Sequence, residues 1–553
     1  MALLIGSIGL VSTVLFGSAT STAPILRRPP ALSVGLLILP LYFLVTIAIG
    51  WVARRQNPSA NAYLNASRSL PLWIVVAAYL AANCGALEIV GLSAMAAQYG
   101  VQAFNFYWIG AIPAMVFLAN WMMPIYRRSG VRSVPEYLEF RYGPGLRLLN
   151  ACVLAITMLL LAGISLYAMA QVLLVVIGFS FTTSILLSGG VVLAYVLLGG
   201  VKATIYNEVF QLAVMLAGLL PVAILSLRAG VVPAGEQAAR WHLWTSMPVA
   251  SRAAPLDVFG VVVGLGFVLS FSYWCTDFVL MQRAFTARTE KAARQVPLWA
   301  GFGKILFSMI VVLPGLAAYR LFPALGHSRR FDQALPALMT ISYGPVMLGL
   351  GLTALLASLM SGLAANVSAF AAIWTEDIYR SRLARHRSET HYLLIGRISA
   401  SAAIAISLLT SYIDFLFGSL MEHVQLIFSV FSAPFWAIFL LGMSTRRTTE
   451  RGAIAGFLTG TTVALLHLAA TSLGWLHYGS VMNANFHVAI YAFSSAVVVG
   501  WFASSSSSGE LSPSVPRLVF RWRSAFHEDA NRLLWILSAI LLSGCLVLNW
   551  IWR

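Results

Sequence analysis

The chain has 553 residues, of which 59% are hydrophobic and only 10% are charged. A soluble protein would carry about 25% charged residues, so these values, together with a mean hydropathy of +0.84, exclude the soluble globular class. Apolar runs of about 20 residues, each long enough to cross the hydrocarbon core of a bilayer, recur from one end of the sequence to the other. We therefore expect an all-α polytopic membrane protein.

The apolar runs predict about 14 transmembrane helices. The predicted spans lie near residues 31–54, 70–98, 104–127, 145–178, 181–200, 205–227, 256–285, 296–322, 345–378, 391–418, 424–445, 452–471, 485–503 and 531–551. The chain then divides into an N-terminal segment of uncertain role (1–30), a peripheral first helix (31–54), two sets of five helices (70–227 and 256–445), peripheral helices (452–503), a linker (504–530) and a last helix (531–551). Residues 1–20 are either a signal peptide or an extra span. The serine-rich start of the linker predicts a flexible cytoplasmic connection.

The net charge of +17 indicates membrane topology rather than a nucleic-acid partner. If the first span runs from outside to inside, 25 of the 35 basic residues fall on one side, nine fall on the other, and Lys304 lies within a span. The positive-inside rule then predicts that the basic loops are cytoplasmic and that the N-terminus is outside. We expect the protein in the plasma membrane or a bacterial inner membrane.

The stretch AAYLAANCGALEIVGLSAMAAQYG, residues 77–100, carries polar residues in the middle of a predicted span. Asn83, Gly85 and Glu88 are poor choices for an uninterrupted helix in lipid, where a carboxylate costs at least about 2.5 kcal/mol. Transporters hold ions and substrates at such helix breaks. This stretch therefore predicts a binding site.

The second set of five spans opens in a similar way. Ser270, Ser272, Thr276 and Asp277 interrupt the apolar run VLSFSYWCTDFVLMQR, residues 268–283. Two sets of five helices, each with an interrupted first helix, are typical of an inverted-repeat transporter. No repeat is visible in the sequence itself, so this symmetry rests on the pattern of polar breaks.

Charged residues at membrane depth need partners. Lys304 can pair with Glu88 or with Asp277, either as a structural ion pair between two helices or in a water-filled cavity that meets a polar solute. The aromatic residues Tyr107, Trp108, Tyr273 and Trp274 belong either to an interfacial belt or to a wall that stacks on a ring-shaped solute.

Small residues recur at helical spacing in the span at 345–378: Ser361, Gly362, Ala365 and Ser368. They either allow another helix to approach closely or present a hydroxyl to the break around residues 81–84. In the second case the hydroxyl would join backbone carbonyls around a small hard cation.

Four motifs resemble those of the sodium:solute symporters, and within them the sodium/glucose cotransporter branch. They occur in chain order as RSGVRSVPEYLEFRYG (residues 128–143), GGVKATIYNEVFQ (199–211), SYWCTDFVLMQRAFTA (272–287) and SLMSGLAANVSAFAAIWTEDIY (358–379). The resemblance extends from about residue 31 to the end of the chain. It implies a LeuT-type fold of two inverted five-helix repeats, with one helix before them and three after, and solute import by alternating access.

The resemblance also implies a solute site. Carried over by position, the solute-contacting residues are Asn83, Glu88, Tyr107, Tyr273, Trp274, Lys304 and Gln425. Glu88 replaces a histidine or glutamine of the sugar carriers, and Tyr107 replaces a glutamate. The carboxylate has either moved across the pocket and still binds a hydroxyl, or the solute has changed to one that bears an amine. The expected solute is a sugar or polyol; another solute, such as an amine or carboxylate, is the alternative.

The implied coupling ion is Na⁺, and no other cofactor is expected. The implied ligands are the carbonyls of Ala81, Cys84 and Ser358 and the hydroxyl of Ser361. Gly362 stands where the family has a second hydroxyl, and Glu208 replaces an aspartate. With Asp277, these two form the expected coupling and gating set. A weaker Na⁺ site, a water in place of the hydroxyl, and coupling to H⁺ through Glu88 or Glu208 are the alternatives.

Other function classes are weaker readings of this sequence. No HExxH, GxSxG or carboxylate–histidine cluster occurs at membrane depth, and no repeated selectivity filter is visible, so we expect neither an enzyme nor a channel. A transporter-like solute sensor is the second alternative. The expected partners are a small solute, Na⁺ and the lipid bilayer, with no nucleic acid; the sequence leaves the oligomeric state open.

Overall fold

A computed structural model describes residues 37–54, 70–131, 133–198, 201–228, 240–244, 255–322, 331–417, 419–505, 519 and 532–553. The helices of the first half are α1 (Ile38–Arg54), α2 (Leu72–Asn83), α3 (Leu87–Phe104), α4 (Phe106–Arg128), α5 (Val134–Arg141), α6 (Pro144–Val176), α7 (Phe181–Leu198) and α8 (Val201–Arg228). Those of the second half are α9 (Gly260–Thr276), α10 (Phe278–Phe285), α11 (Glu290–Leu321), α12 (Ala334–Ser342), α13 (Pro345–Leu383), α14 (Glu389–Leu416), α15 (Leu420–Ser444), α16 (Glu450–Ser472), α17 (Val481–Ser505) and α18 (Arg532–Ile551).

Two helices are broken at the predicted positions. The axes of α2 and α3 meet at 59°, and those of α9 and α10 meet at 48°. Within the described residues, ten other helices are long and apolar enough to cross a membrane, and Ile38–Ile49 and Phe181–Leu193 are shorter apolar helices. The all-helical membrane architecture is therefore confirmed, whereas the number of about 14 spans stays a prediction.

The two sets of five helices pack against each other reciprocally. The broken helix of the first set (α2 and α3) packs against α11, the second helix of the other set, while the broken α9 packs against α4. The long helices α8 and α13 also pack against α2, and α6 packs against α13. This arrangement places both breaks inside the bundle, where side chains are shielded from lipid.

The last helix, α18, lies outside this core against α4 and α11. Its end is fixed to residues 240–244: the Leu243 amide donates to Trp552 O at 2.9 Å, and the Trp241 and Trp552 rings stack with centroids 5.4 Å apart. The N-terminal segment 1–30, the loop 55–69 and most of the predicted linker 504–530 lie outside the described residues. The proposed division into segments, and the orientation of the termini, stay predictions.

Candidate functional site

The break between α2 and α3 releases a backbone carbonyl in the centre of the bundle. In a continuous helix the Gly85 amide would donate to Ala81 O, but here it donates to Asn83 O at 2.8 Å. Ala81 and Cys84 are fully buried. The Ala81 carbonyl has therefore lost its helical donor at a position that water cannot easily reach.

Helix α13 approaches this break closely because α13 and the break each carry a glycine at the contact, Gly362 and Gly85. A β-carbon added to Gly362 would lie 3.4 Å from the Cα of Gly85. Ser358 Oγ donates to Cys84 O at 2.6 Å, and the buried hydroxyl of Ser361 has no hydrogen-bond partner among the described residues. The structure thus brings α13 with Ser358 and Ser361 to the break, although the Cys84 carbonyl is already accepting a hydrogen bond.

A cavity opens on one side of the break. Its empty space, counted with the open solvent at its mouth, is about 570 Å³. The predicted solute-contacting residues that line it are Asn83, Glu88, Tyr107, Tyr273, Trp274 and Gln425. Lys304, the seventh, does not line the cavity but lies directly behind Glu88.

Glu88 and Lys304 form an ion pair at 2.8 Å. Lys304 is fully buried and Glu88 is 7% exposed. The Lys304 ammonium also lies 5.6 Å from the ring centroid of Trp274 and 6.0 Å from that of Tyr107, distances at which aromatic rings attract a cation. Of the two partners that the sequence allowed for Lys304, the structure selects Glu88.

Several polar atoms in the cavity wall have no hydrogen-bond partner within the described part of the chain. They are Asn83 Oδ1, Tyr107 Oη and Gln425 Oε1, all in residues less than 9% exposed. A buried polar group without a partner costs about 1–3 kcal/mol. Three such groups around one cavity suit a ligand that brings its own donors and acceptors.

Tyr273 forms the aromatic floor of the cavity. Asn83 Nδ2 donates to its hydroxyl at 2.7 Å. Its ring stacks on Phe428, with centroids 5.5 Å apart, and meets Trp274 edge to face. These contacts fix the Tyr273 ring and place Tyr273 and Trp274 in the bundle interior rather than in an interfacial belt.

Wide π-helical turns shape the cavity. They cover Leu87–Gly91, Phe106–Ala111, Gly260–Ser270 and Phe428–Ser432, and each supplies side chains to the wall. Such turns bulge from the regular helix and are frequent at functional sites. The sequence showed polar residues in these spans but gave no indication of this widening.

The predicted coupling and gating residues occupy three different environments. Asp277 caps α10: its Oδ1 accepts from the Leu280 amide at 2.9 Å. Glu208, fully buried, binds Arg283 through two contacts of 2.5 and 3.3 Å. Gly362 lies against Gly85 at the break. Only Asp277 and Gly362 share a cavity, so Glu208 belongs to a separate group.

Sequence reasoning did not predict that acidic residues form a buried group around the start of α15. Asp332 accepts from the Leu420 amide at 3.1 Å, and Asp414 contacts His423 Nδ1 at 2.7 Å. Gln98 Nε2 donates to Glu422 at 3.2 Å. Asp332 lies in a predicted loop, whereas Asp414 and Glu422 are acidic residues near the ends of predicted spans. The sequence therefore indicates two of these residues, but not that they lie near Asp332.

Comparison with known proteins identifies relatives of the whole helical core. The profile described as the sodium:solute symporter family matches residues 63–460. A sodium/glucose cotransporter of Vibrio parahaemolyticus is 26% identical over 464 residues, which cover 78% of this chain and 84% of that protein. Human sodium/glucose cotransporter 4 is 27% identical over 497 residues, which cover 82% of this chain and 72% of that protein.

Among solved structures, a substrate-bound, outward-open Na⁺-coupled sialic acid symporter superimposes with a TM-score of 0.71. The match covers 86% of this chain and 98% of that chain at 18% sequence identity. At this identity the likeness concerns the fold. It confirms the LeuT-type arrangement expected from the motifs.

Proposed function

Because the chain belongs to the sodium:solute symporter family, to whose profile residues 63–460 correspond, we propose that it carries a small neutral hydroxylated solute, of the sugar or polyol class, together with Na⁺. The relatives named as sodium/glucose cotransporters support this solute class. Transport proceeds by alternating access between the two repeats. If the basic loops face the cytoplasm, the direction is import.

The polar wall of the larger cavity is the observation that carries the proposal. Asn83, Tyr107 and Gln425 line this space, and each has a buried side-chain oxygen without a hydrogen-bond partner among the described residues. A sugar or polyol hydroxyl both donates and accepts, so it can satisfy acceptor and donor groups at once. The Tyr273 and Trp274 rings supply apolar surface for the carbon face of the same solute.

The charge balance of the cavity favours a neutral solute over an amine. Glu88 is the carboxylate that lines the cavity, and Lys304 already neutralises it at 2.8 Å. An amine bound to Glu88 would bring a second positive charge next to the fully buried ammonium of Lys304. A neutral hydroxyl can instead donate to Glu88 while the pair stays intact.

The broken helix supports Na⁺ as the coupling ion. The Ala81 carbonyl has lost its helical donor, and the Ser361 hydroxyl is buried without a hydrogen-bond partner among the residues that the structure describes. Oxygen atoms of this kind suit a small hard cation. Glu88 and Glu208, the two candidate proton carriers, are each held in an ion pair, which favours sodium over proton coupling.

Uptake into proteoliposomes tests the proposal. The full-length protein is given labelled hexoses, polyols, amino acids and amines under an imposed Na⁺ gradient or an imposed pH gradient. We expect accumulation of a hexose or polyol that requires Na⁺. Accumulation that persists without Na⁺ and collapses with the pH gradient would contradict sodium coupling. Accumulation of an amine alone would contradict the solute class.

A further inference from the structure

A second cavity shares Asn83, Leu87 and Tyr273 with the larger cavity. Its empty space, counted with open solvent, is about 460 Å³. The Asn83 amide donates to the Tyr273 hydroxyl at 2.7 Å, and this hydrogen-bonded pair borders both spaces. The far wall of the second cavity includes Asp277 and Gly362.

Oxygen-bearing side chains line this second cavity. Asp277 supplies a carboxylate, Ser165 a hydroxyl, and Asn83 and Asn366 side-chain amides. Asn83 is only 7% exposed, and its Oδ1 has no hydrogen-bond partner in the described segments. Carboxylate, hydroxyl and amide oxygens are the ligands that hard cations prefer.

Within the part of the chain that the structure describes, the carboxylate of Asp277 forms no ion pair with a basic residue. Its Oδ1 caps α10 through the Leu280 amide. Arg283, on the same helix, contacts both carboxylate oxygens of Glu208 instead. Among the described ion pairs, none includes Asp277. A negative charge in the membrane interior without a paired cation attracts one from solution.

The second cavity adjoins the break through Gly362. A β-carbon added to Gly362 would lie 3.8 Å from Ser165 Oγ and 3.4 Å from the Cα of Gly85. The Ser165 hydroxyl thus lies beside the position that a side chain at residue 362 would occupy. It donates to Leu161 O at 3.0 Å, which leaves its lone pairs available to a cation.

We propose that this second cavity binds a monovalent cation, with Asp277 as its charged ligand and Ser165, Asn83 and Asn366 as neutral ligands completed by water. The proposal rests on the sodium coupling proposed above and adds a second position on the ion's path. One carboxylate balances one positive charge, whereas Ca²⁺ sites commonly recruit several carboxylates. Because Asn83 borders both cavities, a cation here also contacts the wall of the solute site.

The test is binding of radioactive Na⁺ to the purified full-length protein without solute. Asp277→Asn removes the charge but keeps the cap, since asparagine and aspartate cap helices equally well. We expect the Na⁺ concentration at half-saturation to rise about tenfold, as for the loss of one charge-assisted contact. Ser165→Ala, which leaves the helix cap untouched, is expected to raise it about threefold, or ~0.6 kcal/mol.

Asp257→Asn is the matched control. Asp257 Oδ1 accepts from the Gly260 amide at the start of α9, at 2.6 Å, but Asp257 does not line the second cavity. Na⁺ binding should be unchanged in this variant. Unaltered Na⁺ binding in both Asp277→Asn and Ser165→Ala would show that the second cavity holds only water, and would overturn this inference. The proposed function would still stand if uptake by the wild type requires Na⁺.

Solute uptake by the wild type that does not depend on Na⁺ would contradict the proposed function itself, and not only the second cation site. Absence of any Na⁺ binding by the folded wild type overturns both proposals. If Asp277→Asn does not yield folded protein, Ser165→Ala and Asn366→Ala decide the question, since neither residue caps a helix. Unchanged binding in these two variants would then contradict the site.

Discussion

Lys304 lies in a fully buried position next to the solute cavity. Its ion pair with Glu88 has two functions that can be separated. It offsets the cost of a buried ammonium, and it presents a carboxylate to the cavity. Removing one member of a buried pair typically costs about 3–5 kcal/mol, because the other charge is left without a partner.

Glu88→Gln is expected to weaken solute binding. The amide still accepts from Lys304, but a hydroxyl donating to it loses a charge-assisted contact worth about 1.5 kcal/mol more than a neutral one. The concentration of solute at half-maximal uptake should therefore rise about tenfold. Unchanged half-saturation would show that Glu88 does not contact the solute.

The double variant Glu88→Gln/Lys304→Met provides the control for stability. It removes both charges, so the buried ammonium no longer destabilises the fold. We expect its melting temperature in detergent to exceed that of Glu88→Gln, while solute affinity stays low. Recovery of affinity together with stability would assign the pair a purely structural function.

Gly362→Ser tests the hydroxyl that the ion site lacks. The space permits this change: an added β-carbon meets Gly85 at 3.4 Å and Ser165 at 3.8 Å, both ordinary contact distances. The new hydroxyl would lie one residue after Ser361 and add an oxygen beside the break. We expect half-maximal uptake at a Na⁺ concentration several-fold lower. An unchanged Na⁺ dependence would indicate that water or Ser165 already occupies this position.

At the scale of elements, the first turn of α15 is bound by a residue that lies outside the predicted spans. Met421 and Gln425 of this helix line the solute cavity, while Asp332 binds the Leu420 amide at its first turn. Burial raises the pKa of Asp332 well above its usual range, and the nearby Asp414 and Glu422 raise it further. Asp332 is therefore inclined to hold a proton in the folded protein.

This raised pKa predicts a pH dependence of stability. Because the folded state binds the Asp332 proton more tightly than the unfolded state, the stabilisation is present at low pH and is lost as pH rises through the folded pKa. Wild-type melting temperature in detergent should fall across this interval, which begins above the ordinary value of about 4. Asp332→Asn imitates the protonated acid and should flatten the decline. An equally steep decline in the variant would assign the effect to other titratable groups of this cluster.

The sequence predicted most accurately those features that neighbouring residues in the chain determine. The breaks near Asn83 and Asp277 follow from polar residues and a capping aspartate in apolar runs, and they appear as bends of 59° and 48°. Pairings between distant residues could not be deduced in the same way. Lys304 had two candidate partners, and Glu208 was expected to contribute to coupling without any sign that Arg283 would bind it. Only the packing of the helices determines which groups meet.

At the scale of the whole molecule, Arg141 connects the two repeats on the side of the basic loops. Its guanidinium is 2% exposed and donates to Gly442 O, Thr445 O, Thr448 O and Thr448 Oγ1 at 2.7–3.1 Å. The helix α5 of the first repeat is thereby held to the end of α15 in the second. Alternating access requires the repeats to move relative to each other, and this contact restricts where they can move.

Arg141→Lys should destabilise the folded protein and loosen the connection between the repeats. A lysine can replace about one of the four hydrogen bonds, and each buried carbonyl left without a donor costs about 1–3 kcal/mol. We expect a lower melting temperature in detergent and faster hydrogen exchange at residues 442–448, with solute affinity little changed because Arg141 does not line either cavity. Arg380→Lys is the control, since Arg380 is more exposed and binds acidic residues near its own helix. An equal effect in both variants would show that the buried Arg141 has no special function in connecting the repeats.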